Sequence, residues 1–179
     1  MKLLRTIRLD TSDTFIFPSV AEPGEWAISG AFVFADVDLA ALEGKELSAF
    51  RSGFLGVPSL GWSTLAQVVE VDATDRAAAI DLTARCLLDR FGAPDLAVAR
   101  GAAEEEINFV ASLCDHPPDT LIAVYRTDES GTIREAFRSL HPRGGPRRGS
   151  VFSFLDAEGE VAPAATMDLA TLARSGADE

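Results

Sequence analysis

A chain of 179 residues, 47% hydrophobic and 25% charged, is long enough to close one sizeable core without metal or disulfide, and its balance is that of neither a disordered nor a membrane protein. Its formal net charge of −12 opposes the phosphate attraction that drives binding to nucleic acid or an anionic membrane, so neither is expected as a partner. Arg5, Arg8 and Asp10 interrupt any signal-peptide core. The longest apolar and small run, Trp26 to Ala35, is too short to span a bilayer as a helix, which leads to the expectation of a cytoplasmic protein.

In chain order, Leu3, Ile7 and Leu9 alternate with more polar neighbours as a strand does, and Phe15 and Phe17 suggest a second short strand stopped by Pro18. After the turn cluster AEPGE, WAISGAFVFA reads as a central strand apolar on both faces, in which Gly30 marks a bulge or a close approach to the backbone. Asp38 caps a short helical turn and Gly44 breaks the run that follows. RSGFLGVPSLGWS is an apolar loop punctuated by Gly and Pro, and Leu65 to Val71 form a strand. Helices at 75 to 91 and 95 to 114, joined by Gly92-Ala93-Pro94, fold back on each other as an antiparallel hairpin. TLIAVYR and TIREAFRSL flank DESG as a β-hairpin. VFSFL followed by the turn DAEGE gives a last strand, and MDLATLARSGADE a terminal helical turn.

The fold class expected is α+β: an antiparallel twisted sheet of about five to seven strands, with the helix hairpin packed on one face. One domain spans 1–179, with a flexible loop at about 142–150 and a frayed C-terminus at about 174–179.

Glu106 is the residue to explain. Helical periodicity turns Glu104 and Glu105 outward but places Glu106 among Ala102, Ala103, Ile107 and Val110 on the apolar side. A carboxylate there needs a partner or a raised pKa, and Arg126, Arg134, Arg138 and His116 are the candidates for the partner. A buried ion pair fixing helix to sheet is the bland reading, and acid or base catalysis the sharper one.

Cys114, Asp115 and His116 stand at a helix end, where the dipole disfavours a thiolate; packing is the better reading of the cysteine. With only His116 and His141 as histidines, and with Cys86 and Cys114 far from any CxxC spacing, no metal site and no cofactor are expected. Around Ser59, the glycines miss the spacing of a nucleophile elbow, and RGGPRRG lacks the GK[ST] of a phosphate loop. Trp62, Gly56, Gly61, Glu106 and His116 remain as candidate ligand contacts. The charge is uneven: residues 131–150 hold five arginines against Glu135 alone, so Arg143, Arg147 and Arg148 are candidate partner contacts.

MKLLRTIRLD, EPGEWAISGAF, GFLGVPSLGWSTLAQVVE, RFGAPDL and EEEINFVASLCDHP together resemble an uncharacterised bacterial family, a domain of unknown function, over residues 1 to about 140. The resemblance implies a soluble bacterial protein and supplies no activity, cofactor or catalytic residue. The inventory therefore points first to a binding or accessory protein acting on a protein partner or a second copy of itself. A small-ligand binder is the second reading, and an enzyme using Glu106 the third.

Overall fold

The computed structural model describes residues 1–142 and the backbone of a further strand at 155–160. Among the described residues, two antiparallel sheets and four α-helices make an α+β fold. The larger sheet has the order β1-β5-β6-β7-β8, formed by Lys2–Ile7, Leu65–Glu70, Leu121–Glu129, Thr132–Pro142 and Leu155–Glu160. The smaller has the order β2-β3-β4, from Ala27–Ile28, Phe54–Gly56 and Trp62–Ser63. It joins the larger sheet through a bridge between Arg5 and Trp26, where the Arg5 guanidinium lies 3.6 Å from the centre of the Trp26 ring.

Helices α3 (Ala73–Arg90) and α4 (Leu96–Ser112) form the expected antiparallel hairpin. Asp72 and Asp75 close a capping box at the start of α3, and the Asp95 carboxylate accepts the Val98 N–H at the start of α4. Between them, Gly92 takes a left-handed φ of +70° and the Ala93 N–H returns to the Leu87 carbonyl, the geometry that ends a helix sharply. Ala79, Ile80, Ala84 and Leu87 are the buried side of α3; Leu88 and Phe91 are half-buried, and Ala77 is exposed. Phe109 of α4 meets Phe137 of β7 edge-on at 5.6 Å, which puts the hairpin on the inner face of the large sheet. Along β6 that inner face is Ile122, Val124 and Arg126, and along β7 it is Glu135, Phe137 and Ser139. At the β6–β7 turn both Ser130 and Gly131 have positive φ, as a two-residue hairpin turn matched to strand twist requires.

Several local readings are corrected. Phe15 does not lie in a strand: Asp13–Ile16 is a short helix, α1, and only Phe17 enters the core. Asp13, buried beneath this turn, accepts the Thr64 hydroxyl at 2.5 Å and so favours a compact turn over an extended segment. The run from Trp26 is strand only at Ala27–Ile28. Gly30 then takes a left-handed φ of +74° and the chain enters a 3-10 turn, Ala31–Phe34, that still buries Phe32 and Phe34. Gly44 begins helix α2, Gly44–Ser52, instead of breaking it. The glycine-rich loop supplies β3 and β4, and DAEGE lies within β8, paired to β7. Residues 143–154 and 161–179, with the expected loop, most of the VFSFL strand and the terminal turn, fall outside the described residues.

Candidate functional site

Glu106 is buried, as helical spacing predicts, while Glu104 and Glu105 are exposed. Its hydrogen-bond partner differs from expectation. The acceptor Glu106 Oε1 takes the backbone N–H of Ser29 at 3.0 Å, not a basic side chain. That amide is free for a side chain because β2 has already ended at Ile28 and the chain is turning through Gly30. A Cβ placed on Gly30 would sit 2.7 Å from the Leu55 Cβ, so the kink that offers the amide depends on glycine.

Arg126, the basic candidate on the inner face of β6, is fully buried and belongs to Glu135 instead. Its Nε donates to Glu135 Oε1 at 2.6 Å, and its Nη1 donates to the carbonyls of Phe50 and Gly53 at 3.0 and 2.8 Å. Nη2 donates to the Ser29 carbonyl. The Ser29 hydroxyl closes the circuit by donating to Glu135 Oε1 at 2.5 Å and accepting the Ala31 N–H at 3.2 Å. One guanidinium and two carboxyl groups thus tie together α4, the turn after β2, the α2 to β3 junction, β6 and β7.

The electrostatics follow from this count. Burial pushes the Glu106 carboxyl up from its ordinary 4.5 to about 7, and the nearby Glu135 charge adds to the rise. The Ser29 and Gly30 amides and the Arg126 charge pull the other way without cancelling it. Burial likewise lowers the Arg126 pKa, opposed by Glu135 and Glu106. With Glu106 protonated the cluster is neutral, and ionising it leaves an excess buried negative charge.

The other candidates are dispersed. Trp62 is buried in the core, stacked on Phe34 at 5.3 Å and packed close to Gly30 and Gly53. Gly56 and Gly61 close the β3–β4 connection, with the Gly56 N–H donating to the Gly61 carbonyl at 2.8 Å. A Cβ on Gly61 would run into the backbone of Val20 and Ala21, so that glycine admits the protein's own chain. His116 lies beyond α4, where its carbonyl accepts from Lys2 Nζ at 2.5 Å and its side of the chain borders a cleft of about 210 Å³ with Asp115 and Arg138. Cys114 is buried, its Sγ donating to the Val110 carbonyl at 3.2 Å, and burial pushes its thiol up to about 12, far from a reactive thiolate. Among the described residues no cluster of three or more His, Cys, Asp or Glu side chains is placed to hold a metal. No helix of the described residues is long and apolar enough to cross a membrane. Arg143, Arg147 and Arg148 lie outside the described residues.

Sequence reasoning missed Glu135 and Ser29. For Glu135 a signal existed: it shares strand parity with Ile133 and Phe137, as Arg126 does with Ile122 and Val124, so both charges could be assigned to the inner face. For Ser29 there was none, because its role depends on the kink at Gly30.

Fold and site together define an α+β protein built around a buried cluster of Arg126, Glu135, Ser29 and Glu106. The chain belongs to DUF6505, a family of unknown function, whose model matches residues 1–150, about ten beyond the stretch that carried the resemblance. No curated protein and no solved structure matches it.

Proposed function

We propose that the protein acts by binding another protein on the outer face of its large sheet, and that this partner presents an apolar surface rimmed by carboxylates. The observation that carries the reading is the composition of that face. A solvated antiparallel face normally alternates to polar residues, yet towards the start of β6 and the end of β7 the outward positions, apart from Gln67 and Arg138, are apolar. Leu65 lies beside Ala123, Leu121 lies opposite Leu140, and Tyr125 lies opposite Ala136. All six stand outside the core cluster; Leu65, Leu121, Ala123, Ala136 and Leu140 are half-buried, and Tyr125 is 54% exposed. An apolar patch of this kind on a sheet marks an interaction surface, and Tyr125 at its edge is the residue type that anchors interfaces.

Arg138, exposed beside Ala123 on the same face, selects the partner's charge. A second copy is disfavoured, since self-association would bring together two chains of net charge −12. Glu106, held by a backbone amide inside the fold, supports binding over catalysis.

The test uses a double variant, Tyr125→Ser with Arg138→Glu. Both positions are outside the core, so stability should move by no more than about 0.5 kcal/mol for each. A partner captured by the parent from native extract, then purified, should bind the parent in a salt-dependent manner and fail to bind the variant. Equal binding to both proteins would overturn the proposal. So would sedimentation data in which the parent self-associates and the variant does not, since the occupant would then be a second copy.

A further inference from the structure

A cleft of about 580 Å³ lies between the 3-10 turn at Ala31–Phe34, the chain that follows it, and the β6–β7 turn. We infer that this cleft is a binding site for a small amphiphilic cation, an apolar body carrying one amine or guanidinium. The volume is that of an ordinary small-molecule site.

The apolar part of the cleft is Phe32, Phe34, Val37 and Ile133. Its floor is held from behind: Phe32 packs edge-on against Phe91 at 5.0 Å, and Phe34 is gripped between Phe50 and Trp62, each at 5.3 Å. A floor braced on its far side does not collapse into the space above it, so the cleft is formed before any ligand arrives. Val37, on the wall, is 40% exposed, an apolar surface that a ligand would cover.

The polar part is two carboxylates, Asp38 and Asp128. Each is fixed by one oxygen: Asp38 Oδ1 accepts the Ala40 N–H at 3.1 Å, and Asp128 Oδ1 accepts the Gly131 N–H at 2.8 Å. The second oxygen of each accepts from no described residue, and no lysine or arginine lines the cleft. Fixed carboxylates over an aromatic floor, in a chain of net charge −12, repel an anion and reward a cation.

Three probes share one apolar body and differ in charge: phenylbutylamine, phenylbutanol and phenylbutyrate. Titrated against the full chain and followed by amide chemical shifts, the amine should bind saturably, with shifts centred on residues 31–40 and 128–133. The alcohol should bind more weakly and the carboxylate not at all. Asp38→Asn and Asp128→Asn keep an oxygen for the backbone N–H, so they preserve the turns; each should weaken the amine by about fivefold, the value of one exposed ion pair. Ala35→Trp, at an exposed position on the cleft, should block the amine and the alcohol together. The inference is overturned if the amine shows no saturable binding at millimolar concentration, if the carboxylate binds as well as the amine, or if Ala35→Trp leaves amine binding intact.

Discussion

Replacing Glu106 by Gln tests the electrostatics of the buried cluster directly. Gln keeps an oxygen to accept the Ser29 N–H and nearly the same volume, but it cannot ionise. For a carboxyl, a pKa raised in the folded state means that the fold holds the proton more tightly than the unfolded chain does. The stabilisation is therefore complete below about 4.5 and is lost as the pH climbs towards about 7. The interval corresponds to about 3 kcal/mol by linkage. At acid pH the Gln variant and the parent should be alike, since Gln mimics the protonated acid. Near pH 8 the variant should be the more stable by about 3 kcal/mol, which for a chain of this size is about 6–12 °C in Tm. Thermal melts of both proteins across about pH 5 to about pH 8 supply the comparison, and the general self-repulsion of an acidic chain cancels in the difference. A stability difference that stays constant over that range would show that Glu106 does not titrate there. The account of its burial would then fail.

The same cluster predicts a different outcome for its cation. Arg126→Met should cost about 3–5 kcal/mol at neutral pH by stranding the Glu135 charge and three backbone carbonyls, read by urea unfolding. Leu87→Ala, at a fully buried position of α3, should cost about 2–5 kcal/mol through the cavity it opens, and a melt indistinguishable from the parent would mean that the buried face of α3 is misassigned.

Much of the fold was legible because its signals are local and repeated. The α3–α4 hairpin carries two Asp caps, a left-handed glycine and a sustained apolar face, and the β6–β7 hairpin carries alternation on both strands around a turn that its residues favour. The segment from Trp26 to Phe34 failed for a specific reason. Its composition is that of a central strand, but extended chain at Gly30 would give up the left-handed turn that presents the Ser29 amide to Glu106. A contact from a helix 77 residues away decides the conformation there, and no window of sequence contains both parts. The order β1-β5-β6-β7-β8 was likewise hidden, since α1, α2 and the whole small sheet lie in the chain between β1 and β5.

The position of Glu106 was read correctly and its partner was not, and the difference changes what the residue means. Spacing alone shows that a carboxyl faces the core, from which a buried cation follows as the usual compensation. Here the cation exists but is satisfied by Glu135, so Glu106 is an acid held by amides and disfavoured in its charged form. Removing it therefore does not strand a guanidinium, and the penalty expected for breaking an ion pair does not apply. What Glu106 does supply is an acceptor for the turn that leads into Ala31–Phe34, the floor of the cleft beside the β6–β7 hairpin. An alanine there would leave the buried Ser29 N–H without its acceptor, so the side chain ties the turn's conformation to α4.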